Sequence, residues 1–133
     1  MKQNKPVLSI LEGRFGIFRF EKESEVPAWV YGGNFFSITS ISEKLSVVCQ
    51  ESSIPADIPA GTRAEKRWSS LKAEGPLDFG LTGILAGMSR TLAENGVSLF
   101  DISTYDTAYI LVRETDLERV TEALKKEYGI QKP

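Results

Sequence analysis

The sequence predicts an α+β fold, with short strands in its first half and helices alternating with strands in its second half. From Leu81 the apolar residues recur at spacings of 3, 4, 7 and 11, which follow one face of a helix. A second stripe at Leu117, Val120 and Leu124 predicts another helix. The first half holds only short apolar runs between turn residues, a pattern typical of strands.

Four strands are predicted before residue 50. Val7–Leu11 and Phe15–Phe20 suggest an early hairpin with Gly13 in its turn, and two more runs follow at Phe35–Thr39 and Leu45–Cys49. Residues 51–66 contain two prolines and one glycine without any periodicity, so we interpret them as an internal linker.

The second half gives the element order strand, helix, strand, strand, helix and short edge strand. Its predicted strands are residues 68–73, 97–102, 109–113 and the tail from Gly129. The first helix ends at Asn95-Gly96, and Thr115 with Glu118 has the spacing of a capping box before the second helix. This order is the split βαβ, or ferredoxin-like, arrangement, βαββαβ. The apolar segment "YILV" predicts a strand that is covered on both faces.

Composition excludes several classes of function. The chain has 133 residues and a net charge of −2 without a basic block, which argues against nucleic-acid binding. Histidine is absent and Cys49 is the one cysteine, so no metal, cofactor or disulfide is expected. No spacing typical of a catalytic constellation occurs, and no segment is long enough to span a membrane. We therefore expect a cytoplasmic protein that is not an enzyme.

Three stretches resemble a known family. They are "LSVVCQESSIP" at residues 45–55, the tryptophan at position 68, and "GPLDFGLTGILAGMSRTLAENGVSLFDISTYDTAYILVRE" at residues 75–114. They are similar to small bacterial proteins that carry two ACT-like units in one chain, related to the ACT modules of aspartate kinases and the CASTOR arginine sensors. The resemblance implies two ferredoxin-like ACT units, which we place at residues 1–62 (degenerate, mostly strands) and 63–133. It also implies a regulatory role, because ACT domains bind small ligands, most often amino acids, between paired units.

The first candidate binding segment is the start of the helix near residue 80. A helix N-terminus offers unpaired backbone N–H groups to a carboxylate, and Gly80 and Gly83 allow close approach to the backbone. Alternatively, Asp78 caps the helix and the glycines serve helix–sheet packing. The resemblance assigns the following residues to the wall of an effector site: Leu77, Asp78, Phe79, Gly80, Leu81, Thr82, Gly83 and Ile84.

The second candidate segment is the polar linker "STYDT", which joins two apolar runs without a glycine. The resemblance implies that it faces the ligand, through Ser103, Thr104, Tyr105 and Asp106. Alternatively, these side chains satisfy nearby backbone groups in a self-bonded loop. Related sequences commonly have an acidic residue where this chain has Ala108, so we expect basic amino acids such as arginine to be poor ligands. Three alternatives follow: the ligand differs, Asp78 or Asp106 pairs with it instead, or the segment has become a structural element.

The sequence thus predicts a homodimeric ACT-type protein that binds a small molecule, an amino acid above all, and acts through conformation or assembly. The alternative is an oligomerisation or protein-interaction module that binds no ligand.

Overall fold

The computed structural model describes residues 5–73 and 80–133 of the chain. The strands are β1 (Val7–Ile10), β2 (Phe15–Glu21), β3 (Phe36–Ser40), β4 (Lys44–Gln50), β5 (Arg63–Ala73), β6 (Phe100–Ser103), β7 (Ala108–Arg113) and β8 (Gly129–Gln131), and the helices are α1 (Leu81–Glu94) and α2 (Leu117–Leu124). The order from β5 to β8 confirms the predicted βαββαβ sequence of elements and the α+β class. Among the described helices, none combines the length and apolar character needed to cross a bilayer.

The chain divides into two compact units. The helical unit comprises residues 5–12 and 69–133 as far as they are described, and the strand unit is Gly13–Trp68. Strand β5 contributes its first residues to the strand unit and its last five to the helical unit. The compact units therefore do not follow the predicted division between residues 62 and 63, because β1 belongs with the second half of the chain.

The helical unit explains this placement of β1. Strand β1 runs antiparallel to the end of β5, with Leu8 opposite Ala73, and parallel to β8, with Val7 opposite Gly129. Strand β7 pairs with β5 and with β6. The predicted hairpin of β1 with β2 is therefore wrong: β1 pairs with the distant strands β5 and β8, and the segment around Gly13 leads from one unit to the other.

The core of the helical unit lies between its strands and both helices. Its fully or nearly buried members on the helices are Ile84, Met88, Leu92, Val120 and Leu124, and those on the strands include Leu8, Leu71, Ala108, Ile110 and Val112. Each such aliphatic side chain contributes about 1.5–3 kcal/mol on burial. Leu111 is fully buried as well and alternates with Ile110 and Val112, so β7 is covered on both faces, as predicted.

The second helix begins differently from the prediction. A 3-10 turn, Glu114–Asp116, precedes α2, and Asp116 holds the N-cap position without a side-chain cap hydrogen bond. The capping box predicted at Thr115 is therefore wrong. Asp116 instead accepts a 3.0 Å hydrogen bond from Arg119 one turn later.

The strand unit is an antiparallel sheet in the order β3-β4-β2-β5. Its core contains Phe18, Val30, Val47 and Cys49, and the ring of Phe18 packs against Trp29 with centroids 5.2 Å apart. In residues 13–68 the sheet is covered by short 3-10 turns, Ala28–Gly32 and Glu51–Ser53, where a complete ferredoxin-like unit has helices.

A bulge interrupts β5 shortly before it enters the helical unit. The register with β2 shifts between Phe15 and Ile17, and Arg67 adopts a left-handed backbone conformation with φ of 67°. A non-glycine residue in this region costs about 1–3 kcal/mol. The carboxylate of Glu51 stabilises it by accepting a 2.9 Å hydrogen bond from the Arg67 amide.

Helix α1 approaches its neighbours closely at Gly87. A Cβ atom there would overlap the hydroxyl oxygen of Tyr128, a buried residue just before β8. That hydroxyl donates a hydrogen bond of 3.4 Å to the carbonyl of Ile84. Gly83, one turn earlier, has no atom within 4 Å of the position of a Cβ. Close packing thus requires a glycine at 87 but not at 83.

We expect opposite effects from alanine at these two glycines. Gly83→Ala raises the free energy of unfolding by about 0.5–1 kcal/mol, because alanine is the better helix former and its methyl group meets open space. Gly87→Ala has the same propensity gain but forces the Tyr128 ring to shift, so it lowers that free energy by roughly 1–3 kcal/mol. Urea unfolding of the two variants measures both effects, and equal stabilisation by both would contradict the packing described for Gly87.

Candidate functional site

The first turn of α1 has no cap from a side chain at its N-cap position. Gly80 holds the N-cap position with φ of 68° and ψ of 139°, a conformation that glycine adopts without strain. The first helical hydrogen bond runs from the Ile84 amide to the Gly80 carbonyl at 3.2 Å. The amides of the three residues between them therefore lack an intrahelical partner.

The structure describes only some of the site residues predicted at this turn. Leu77, Asp78 and Phe79 lie outside the described residues, and with them the proposed cap by Asp78. Thr82 and Gly83 are exposed on the first turn of α1, and Ile84 is buried in the core. The packing role considered for the glycines does not apply to Gly80 or Gly83, because a Cβ at either would meet nothing within 4 Å.

A cavity of about 260 Å³ lies against this turn, within the helical unit. Its described lining is Pro6, Gly83, Ile84, Glu127 and Tyr128. A 2.8 Å hydrogen bond from the Gly129 amide to the Pro6 carbonyl ties the start of β1 to the start of β8, and this places Pro6 beside Glu127 and Tyr128. The cavity combines an open helix turn, one carboxylate, one buried phenol and apolar walls.

Sequence reasoning missed three residues of this cavity. Pro6, Glu127 and Tyr128 flank β1 and β8, and the parallel pairing of these strands is what brings them to α1. Gly87 was the available signal, because a glycine in mid-helix implies a large neighbour packed against it, here Tyr128.

The polar bend between β6 and β7 bonds extensively to itself. The amide of Thr104 donates to the Thr107 carbonyl at 2.8 Å, the two threonine hydroxyls bond to each other, and the Thr107 amide donates to the Thr104 hydroxyl at 3.1 Å. The hydroxyl of Ser103 bonds to the carboxylate of Asp101 at 3.3 Å. The hydroxyls of Ser103 and Thr104 thus form hydrogen bonds within the bend and its flanking strand, as expected for a self-bonded loop.

The tip of the bend is directed to solvent. Tyr105 is fully exposed, and Asp106 is exposed as well. Among the described residues, those of the bend are not part of the cavity lining at α1. Whether Ser103–Asp106 and the α1 turn serve one ligand therefore stays a prediction.

Ala108 is a core residue. It is fully buried among the side chains that face the helices, and its register partner is Ser103. An acidic side chain at this position would enter an apolar core, where an unpaired carboxylate is costly. The packing of the helical unit thus explains an alanine at position 108 without reference to a ligand.

Other reactive groups in the described residues are few. Residues 5–73 and 80–133 contain no group of three or more acidic or cysteine side chains positioned to hold a metal ion. Burial raises the pKa of the Cys49 thiol, although a hydrogen bond with Ser53 opposes this effect. A raised pKa leaves the thiol protonated and unreactive near neutral pH.

Two family models match separate parts of the chain. A family model described as "ACT domain" matches residues 63–126, and a model of an N-terminal domain matches residues 13–57. The cytosolic arginine sensor for mTORC1 subunit 1 of Bos taurus is 34% identical over 103 residues, which are 72% of this chain and 31% of that protein. The chain thus spans about a third of the length of this relative.

Two solved structures share the fold. Protein Atu0741 from Agobacterium tumefaciens has a TM-score of 0.86 and 36% identity, with coverage of 98% of this chain and 96% of that one. The regulatory subunit of aspartate kinase from Thermus flavus has a TM-score of 0.64 at 10% identity, with coverage of 94% and 99%. The second likeness is one of fold alone.

Tyr128 makes the stability of the helical unit sensitive to alkali. Burial, and secondarily the charge of Glu127, raises its pKa above the ordinary value of about 10. Above pH 10 the unfolded chain therefore binds fewer protons at this residue than the folded chain, so this contribution, complete below pH 10, is lost as pH rises through the raised pKa. We expect the urea midpoint of the wild type to fall more between pH 9 and 11 than that of Tyr128→Phe. Equal falls would contradict this role, since lysine titration affects both proteins alike.

Proposed function

The chain belongs to the ACT-domain family, and from this we propose that it is a regulatory protein that binds a small molecule, in the first instance an amino acid. The observation that carries the proposal is the open first turn of α1 at Gly83. Among the described residues, none lies within 4 Å of where a Cβ of this glycine would project, and a glycine within a helix costs roughly 0.5–1 kcal/mol relative to alanine. Its place in the wall of a cavity gives it a function, which is to let a ligand reach the backbone.

The chemistry of the cavity suits an amino acid. The unpaired amides of the first turn and the positive end of the helix dipole favour a carboxylate. The carboxylate of Glu127 lines the same cavity and supplies an acceptor for an ammonium group. A zwitterion thus finds both of its charges matched, and the apolar walls formed by Pro6 and Ile84 accommodate a side chain.

The remaining predicted residues extend this proposal. Leu77, Asp78 and Phe79 precede the turn, and Ser103, Thr104, Tyr105 and Asp106 form a second segment that closes over a ligand if the family arrangement holds. Ala108 is buried in the core of the helical unit and supplies no carboxylate to a ligand, so the resemblance favours a neutral amino acid over a basic one. That the Bos taurus relative is named an arginine sensor supports an amino-acid ligand in general.

The proposed output is a change of conformation or assembly. A ligand shifts such an equilibrium only by binding one state better than the other. Binding, and not catalysis, is the proposed role, in the cytoplasm and in a homodimer, with any downstream effect passing through another protein or through oligomerisation.

The alternative function, a ligand-free assembly module, is favoured by the edge strand β3. It pairs only with β4 within the strand unit, and its Phe36 and Ile38 are exposed beside Tyr31. An uncharged edge strand with exposed apolar side chains is a template for pairing with another chain.

Thermal melts of the whole protein with each of the twenty amino acids test the ligand. A true ligand at a hundred times its dissociation constant stabilises the folded state by about 2.7 kcal/mol. In Gly83→Leu the side chain occupies the cavity mouth, so we expect that stabilisation to vanish. Ala86→Leu, a matched change at an exposed position on the same helix, retains it. If none of the amino acids raises the melting temperature, the amino-acid form of the proposal is wrong.

Size measurement by light scattering separates the two functions. The sensor is expected to change its oligomeric equilibrium or its hydrodynamic radius with the ligand found in the melts. The assembly module forms a dimer that is indifferent to metabolites and is weakened by Ile38→Lys, which introduces a charge on the edge strand. A monomer under all conditions would contradict both.

A further inference from the structure

Two arginines face each other across neighbouring strands of the strand unit. Arg19 on β2 is the register partner of Arg63, the first residue of β5. Side chains directly opposite each other in an antiparallel pair have Cβ atoms about 4.5–5.5 Å apart, and like charges in such a pair are destabilising. Both side chains are exposed, and neither forms a hydrogen bond or ion pair with the described residues. The pair thus places two positive charges together without a partner for either.

The arginines line a cavity of about 230 Å³ that lies wholly within the strand unit. Its other walls are the end of β2, Ser24 and the turn at Ala60–Thr62. This turn is closed on itself, because the amide and the hydroxyl of Thr62 both donate to the Pro59 carbonyl, at 3.2 and 2.6 Å. Gly61 has φ of 85° and open space where a Cβ would project. The cavity floor at this turn is therefore backbone, accessible to a small group.

The charges around the cavity favour an anion. Glu21 is the one acidic side chain in its described lining, and its register partner on β4 is Lys44, which carries the opposite charge. The described lining therefore carries two guanidinium groups against one carboxylate, which leaves it a net positive charge. Each guanidinium presents five N–H donors in a planar fork, which matches the oxygens of phosphate.

We propose that this cavity is a binding site for the phosphate group of a small molecule, held between Arg19 and Arg63. One carboxylate is matched by a single arginine fork, whereas a doubly charged tetrahedral group engages two forks at once. The volume admits a phosphate with a small organic substituent. The site lies in the unit that lacks the α1 turn and is independent of the amino-acid cavity proposed above.

The test uses the whole protein with inorganic phosphate and glycerol phosphate as probes, at constant ionic strength set with chloride. Saturable binding, followed by the phosphorus NMR signal or by calorimetry, is expected for the wild type. Arg19→Gln and Arg63→Gln each weaken it about tenfold or more, as the loss of a charge-assisted contact implies. Arg90→Gln removes the same charge from an exposed position on α1 and leaves binding unchanged.

The variants have a second readout. Because Arg63→Gln removes a like-charge repulsion, its melting temperature without phosphate is expected to equal or exceed that of the wild type, so weaker binding does not reflect unfolding.

Tighter binding of glycerol phosphate identifies an organic phosphate as the ligand, and equal binding identifies free phosphate. The proposal is overturned if the wild type shows no saturation, if Arg90→Gln loses as much affinity, or if succinate binds as tightly as either phosphate. None of these outcomes depends on whether the protein binds an amino acid.

Discussion

Both units of this protein depend on strand β5, which contributes residues to each of them. Its first half completes the antiparallel sheet of the strand unit, and its second half carries the pairing with β1 in the helical unit. The change occurs next to the bulge at Arg67, whose left-handed backbone is stabilised by the carboxylate of Glu51. A single carboxylate–amide contact thus supports the backbone of β5 at its bulge.

Most of the helical unit could be predicted from local patterns. The stripes at Ile84, Met88 and Leu92, and at Val120 and Leu124, depend only on the helical period, and the core contains the same residues. The partner of β1 could not be predicted, because a four-residue apolar strand fits beside β2 as well as beside β5. The start of β5 was missed for a different reason: "RAEKR" reads as a charged linker, and its side chains are largely exposed within a strand.

In the candidate ligand cavity, too, some residues could be predicted from local patterns and others could not. Gly83 and Ile84 could be identified because they lie in one helix turn with a clear glycine signal. Glu127 and Tyr128 are close to them only through the parallel pairing of β1 with β8 and the close contact at Gly87. Such long-range contacts leave no periodic trace in the sequence. The arginine pair is similar, since positions 19 and 63 become neighbours only once the register of β2 and β5 is known.

The burial of Cys49 allows a local opening of the fold to be followed by chemical modification. It is the single sulfhydryl of the chain, and it is fully buried in the core of the strand unit, opposite Gly16 in the adjacent strand. A thiol-modifying dye reaches the sulfur only when that sheet separates, and when modification is slower than reclosing, its rate reports the free energy of that local opening. Cys49 therefore serves as a chemical probe of local stability at one position in the core of the strand unit.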